Sequence, residues 1–272
     1  MPTFSQPDHS EPREQSLPVD IATCIRFFSR IPIPALGPDD VIDQPPDFRR
    51  TARAIPLAGL LISLPAACVL LLFSATDLPD LVVATSCVAL TAILTGCLHE
   101  DGLTDVFDGF FGGHTREKRL LIMHDSRIGT FGALGMMLTV LLRIALLAQA
   151  LDAFGAFVAA VLYITSEALA RCFMVIAWNS QPSANPGGLG QRFGLPDWEA
   201  AIWAVLSALF LTLVTTLVVA PLSGMIAGLV SAAMAYGLVL LARRKIGGMS
   251  GDVLGALQQI ASLAFLFGLF LL

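Results

Sequence analysis

Residues 80–109 read DLVVATSCVALTAILTGCLHEDGLTDVFDG. No charged side chain lies between Asp80 and His99, and then Glu100, Asp101, Asp105 and Asp108 follow in close succession. The apolar part is close to the ~17–25 residues that cross a bilayer as a helix. The acidic part cannot continue it, because carboxylates next to hydrocarbon are costly. Asp101, Asp105 and Asp108 fall at i, i+4 and i+7, which on a helix is one face. Carboxylates gathered there repel one another, and a bound divalent cation is the simplest compensation.

The rest of the chain has the same character. Of 272 residues, 56% are hydrophobic and 14% charged, against roughly 45–50% and 25% in a soluble domain. Seven segments have spanning length: 54–75, 80–98, 129–151, 154–178, 200–220, 222–242 and 254–272. The fifth and sixth are separated only at Pro221-Leu222-Ser223-Gly224. Residues 17–33 alternate apolar groups with Arg26 and Arg30 and read as a short amphipathic helix on the inner surface. The expected fold is therefore all-α: a polytopic membrane helix bundle of about seven transmembrane helices plus that N-terminal helix. Residues 1–16 read as a disordered polar N-terminus, with no basic stretch leading into an apolar run as a cleaved signal would have. Residues 17–272 read as a single membrane domain. The five cysteines form no Cys-x-x-Cys pair and read as small buried residues in a reducing setting.

Lys and Arg set the expected topology. Of the 16, 14 lie before the first span or in the loops 99–128, 179–199 and 243–253, and the alternate turns have none. By the positive-inside rule the N-terminus and these three loops are cytoplasmic. The other two, Arg143 and Arg171, lie inside spans, where charges face a polar interior. Glu167 precedes Arg171 by one helical turn, so the two can pair.

The chemistry is expected on the cytoplasmic loops. Asp101, Asp105 and Asp108 are the metal-ligand candidates, and Mg²⁺ is the expected cofactor, since it binds through one or two carboxylates together with substrate phosphates. Asp125 adds a fourth carboxylate; Arg127 and Arg116 add guanidinium forks that match phosphate. Carboxylates for a hard cation beside arginines for an anion suit phosphate-ester chemistry. Asp108, Asp125 and Arg127 are the catalytic candidates, with Asp108 or Asp125 as the base. Substrate-binding candidates are His99, Arg116, Arg127, Arg171, Gly188 and Gly190 in a turn that can approach an anion, and Gly251 and Asp252 at the head of the last span. His99 remains open between ligand, base and interfacial polar residue, and helix capping is the plain reading of Asp252, with ligand binding the alternative that the neighbouring glycines allow. Glu100 points about 100° away from Asp101 and so leaves the cluster.

Several segments resemble, in order, the cobalamin synthase (adenosylcobinamide-GDP ribazoletransferase) family. They are Phe27-Phe28-Ser29-Arg30-Ile31-Pro32-Ile33-Pro34, Pro56-Leu57-Ala58-Gly59, the acidic string 99–109, Ile122 to Thr130, Gly188-Leu189-Gly190, and Gly247 to Asp252. The chain departs at His124, where arginine is common, at Thr104, where alanine is usual, and at Gln181–Pro186, which lacks the usual charged residues. The resemblance implies an Mg²⁺-dependent inner-membrane enzyme. It would join adenosylcobinamide-GDP to α-ribazole, or its 5′-phosphate, giving adenosylcobalamin, or its phosphate, and GMP. Its partners would be these substrates and the lipid bilayer, without nucleic acid, and a homo-oligomer is compatible. Two other classes are weighed. A CDP-alcohol phosphotransferase shares Asp105-x-x-Asp108-Gly109, but Gly112-Gly113 stands where Ala-Arg should follow and the second aspartate pair is missing. A cation transporter would hold its carboxylates near the bilayer midplane and repeat the pattern in a second half.

Overall fold

A computed structural model describes residues 16–38, 40–184, 187–188, 192–219 and 221–272. The helices are α1 (Leu17–Phe28), α2 (Phe48–Thr51) with the 3-10 turn Ala52–Ala54, α3 (Ile55–Ser74), α4 (Asp80–Thr95), α5 (Leu98–Gly112) and α6 (Arg116–Met123). They continue with α7 (Thr130–Phe154), α8 (Ala156–Ser180), α9 (Trp198–Val218), α10 (Pro221–Ile246) and α11 (Gly251–Gly268). Among the described residues six helices are long and apolar enough to cross a membrane, the first running from Phe48 to Ser74, and α4 counted with α5 makes seven. The all-α polytopic bundle is as the sequence predicts.

One boundary differs. The span expected over 80–98 stops at Thr95, and the chain turns by 90° into α5. Gly96 (φ 61°) and Cys97 (φ 57°) both take the left-handed backbone that closes a helix. The stretch 99–128 is consequently not a loop. It is two helices, α5 and α6, the second started by Thr115, whose hydroxyl accepts the Lys118 N–H at 3.2 Å. The expected N-terminal helix also ends early, at Phe28. It presses its apolar face on α3 and the 48–54 segment, with Asp20 buried between Thr51 (2.9 Å) and Arg53 (2.9 Å). The expected disordered N-terminus, apart from Ser16, lies outside the described residues.

α8 is the central helix. It packs on α3, α7, α9 and α11, and 78% of its most apolar window is buried, against 17% for α9 at the periphery. The apolar core is divided. One cluster joins α1, α3, α5, α10 and the facing ends of α8 and α11, a second joins α3, α4, α7 and the start of α8, and a third joins α8 to the far end of α11. Between them, midway along α8, lies a polar layer. Glu167 pairs there with Arg171 at 2.9 Å, as the four-residue spacing predicts, and with Arg143 at 3.9 Å. Arg143 also donates to the Gln259 carbonyl on α11 at 3.1 Å, which gives it the interhelical role that suits a buried charge. Arg171 needs Gly59: a Cβ there would stand 2.3 Å from Arg171 Cδ.

The basic segments meet at one end of the bundle. The Asp197 N–H bonds to the Arg49 carbonyl (2.8 Å), Arg116 to the Ala184 carbonyl (2.8 Å) and Arg119 to the Lys245 carbonyl (3.1 Å). Residues 182–184 run beside Met249 through reciprocal backbone bonds of 2.8 Å.

Candidate active site at the α5–α11 end

α5 carries its carboxylates to this end. Asp101 is exposed and Asp105 half-buried, one turn apart, and neither accepts a hydrogen bond among the described residues. The head of α11 lies against them, close enough that a Cβ on Gly102 would stand 2.8 Å from the Asp252 carbonyl oxygen. The charges bearing on Asp105 are those of Asp252, Asp101 and Asp108. Asp105 thus lies within electrostatic reach of three other carboxylates, and His124 within reach of Asp252.

Asp108 shares the face by spacing but is otherwise engaged. It is buried, and its two oxygens accept the N–H groups of Gly129 (2.6 Å) and Gly132 (2.9 Å) at the start of α7. A carboxylate at a helix N-terminus satisfies donors that the helix leaves open and meets the positive end of its dipole. Asp108 therefore fixes α7 to α5, and Asp252, which the sequence does not group with the others, is the further carboxylate whose charge bears on Asp105.

The other predicted residues are distributed as follows. Asp125 and Arg127 form an exposed pair with each other (Nε to Oδ1 3.0 Å, Nη2 to Oδ2 2.6 Å). The hydrogen bonds from Arg127 hold the Asp125 carboxyl well below the usual carboxylate range and raise the Arg127 guanidinium in turn. Arg116 braces the loops, against Ala184 and beside Gly247. Arg171 and His99 are buried, the latter stacked on Phe28 with ring centroids 6.1 Å apart. Gly251 opens α11 and Gly188 lies in the described part of its turn, whereas Gly190 lies outside the described residues. Near Asp252, a cavity with room for about one water is lined by Trp178, Gln181, Ser183, Met249, Ser250 and Leu254. Trp178 Nε1 and Gln181 Oε1 have no partner there among the described residues.

The Asp101 and Asp105 carboxylates on α5 accept no hydrogen bond among the described residues, whereas Asp252 on α11 is partly buried and accepts one from Ser250 Oγ at 3.4 Å. Among the described residues no group of three or more His, Cys, Asp and Glu side chains is placed to hold a metal ion by itself; Mg²⁺ binds through one or two carboxylates and leaves its other positions to water and phosphate. The sequence reading missed Gln258, Gln259 and Ser262, which reach Glu167 and Glu100 from α11. Two adjacent amides inside an apolar span were the available signal.

Fold and site together define a polytopic helical membrane protein with carboxylates gathered at one end of its bundle. The chain belongs to the cobalamin-5-phosphate synthase family, whose model it matches over residues 20–270. It is similar to proteins named adenosylcobinamide-GDP ribazoletransferase. The one from Azorhizobium caulinodans is 41% identical over 94% of this chain and 97% of the relative. Those from Brucella anthropi (41%, 94% and 98%) and Brucella ovis (42%, 92% and 95%) are as close. No solved structure matches the chain.

Proposed function

We propose that the protein is an adenosylcobinamide-GDP ribazoletransferase of the bacterial inner membrane, with the basic end of the bundle in the cytoplasm. The observation that carries this reading is the likeness to relatives of that name over nearly the whole length of both chains. A hydroxyl of α-ribazole, or of its 5′-phosphate, attacks the phosphorus that bears the cobinamide. The new oxygen–phosphorus bond forms as the diphosphate bridge breaks, GMP leaves, and the hydroxyl proton passes to a carboxylate.

Asp101 and Asp105, with Asp252 across from them, are the residues that would hold Mg²⁺. Bound there, the ion would offset charge on the diphosphate. Asp108 keeps α7 and α5 in register, and Arg116 and Arg119 hold the surrounding loops. The gathering of basic segments at the end of the bundle that carries the acidic face supports an anionic ligand there. The test is purified protein in lipid nanodiscs supplied with adenosylcobinamide-GDP, α-ribazole and Mg²⁺. GMP release that requires all three is expected; none, where a relative of established activity turns over, overturns the proposal.

A further inference from the structure

Glu100 and Asp101 are neighbours in sequence and point about 100° apart around α5. Asp101 is exposed, and Glu100 is buried and directed at α11, where its Oε1 accepts the Gln259 Nε2–H at 3.0 Å. That is the only hydrogen bond of the Glu100 side chain among the described residues, since Oε2 has no partner. Gln259 also donates to Gln258 Oε1 at 3.0 Å, Gln258 donates to Glu167 Oε2 at 2.8 Å, and Glu167 is held by Arg171 and by Ser262 (2.9 Å). A continuous buried chain thus runs from α8 through α11 to α5. Gln259 lies seven residues beyond Asp252, two turns along the same face of α11. Between them the helices touch backbone to backbone: a Cβ on Gly102 would collide with Asp252, and one on Gly255 would stand 3.3 Å from His99 Cα.

We infer that Glu100 and Gln259 are positioning residues, whose hydrogen bond clasps α5 to α11 so that Asp101 and Asp105 are kept facing Asp252. The inference rests on the reading of those aspartates as the cation site. A clasp is needed because the carboxylates it aligns repel one another, and without a cation that repulsion drives the two helices apart. The contact at Gly102 and Gly255 sets how closely the helices approach but offers no directional bond to fix their register. The amide–carboxylate bond supplies one, and the Glu167 ion pair anchors it at the far end.

Two measurements on purified protein in nanodiscs test this. The first is hydrogen exchange of residues 98–112 without metal: Gln259→Leu is expected to exchange at least about tenfold faster there, with the rest of the bundle unchanged. The second is the rise in unfolding temperature on adding Mn²⁺, where the variant is expected to need about tenfold more metal for half the shift. Glu100→Gln, whose amide oxygen accepts the same bond, is expected to stay within about twofold of the parent in both. Should Gln259→Leu not fold, Gln259→Asn, with its amide drawn back by one methylene, is expected to show the same two effects in smaller degree. Parent-like exchange and parent-like Mn²⁺ dependence in a folded Gln259 variant would overturn the inference. A parent protein that ignores Mn²⁺ while the variant still exchanges faster would leave the clasp standing and overturn the cation site instead.

Discussion

Both oxygens of Asp108 accept N–H groups at the start of α7, while those of Asp105 accept none among the described residues, so the two aspartates separate structural from chemical effects. Asp108→Ala leaves two buried donors unpaired and is expected to cost about 1–3 kcal/mol of stability, read as a lowered unfolding temperature. Asp105→Asn keeps shape and size. It is expected to leave expression and unfolding temperature near those of the parent and to reduce GMP release roughly 100-fold. The sequence supplied the helix face and the excess of carboxylate on it. It could not distinguish Asp108 from Asp105, because that depends on where the first turn of α7 lands, and Gly129 and Gly132 are neutral in any periodicity. Asp252 was legible only as one of two readings for the same reason: its partner face belongs to a helix remote in sequence.

Among elements, the turn at Gly96 and Cys97 does most to shape the site, because it redirects the chain by 90° into α5. The turn was hidden in an apolar run that reads as continuous, since the left-handed conformations of two residues leave no trace in hydrophobicity. The 29–47 segment is tied down at Asp40, whose carboxylate receives bonds from Arg26 (3.1 Å to Nη1, and a closer one from Nη2) and from the Leu36 N–H (2.9 Å). The hydrogen bonds from Arg26 hold the Asp40 carboxyl below its ordinary range, outweighing the opposite pull of burial. A carboxyl lowered on folding favours the folded form above its unfolded value of about 3.9, and that benefit fades as pH falls through the lowered value. Arg26→Ala is therefore expected to make this segment more sensitive to proteolysis at pH 7. The difference from the parent should shrink progressively below about pH 4, which limited proteolysis with an acid-tolerant protease would measure.

At the scale of the whole molecule, composition and the alternation of basic and neutral connections were sufficient for the architecture, because a bilayer restricts a chain of this kind to helices of one length range. They also gathered the right segments at one end. The polar layer was half legible. Glu167 and Arg171 announce themselves by spacing, but the partners on α7 and α11 do so only once the bundle is assembled. Topology itself can be measured in a Cys68→Ser, Cys97→Ser background, since those two thiols are exposed. Cysteine placed at Lys118 or Arg244 is expected to react with an impermeant maleimide only after the cytoplasmic side is opened, and cysteine at Thr76 in intact spheroplasts.

The packing of α11 against α5, α7 and α8 carries a consequence for the chain as it is made. Every one of those helices leaves the ribosome before the residues that complete it. Until Gln258, Gln259 and Ser262 arrive, Glu100 and Glu167 have no amide or hydroxyl from α11, and until Asp252 arrives the acidic face is short of a carboxylate. A nascent chain interrupted ahead of α11 thus carries inside its bundle two glutamates still short of the partners that α11 brings.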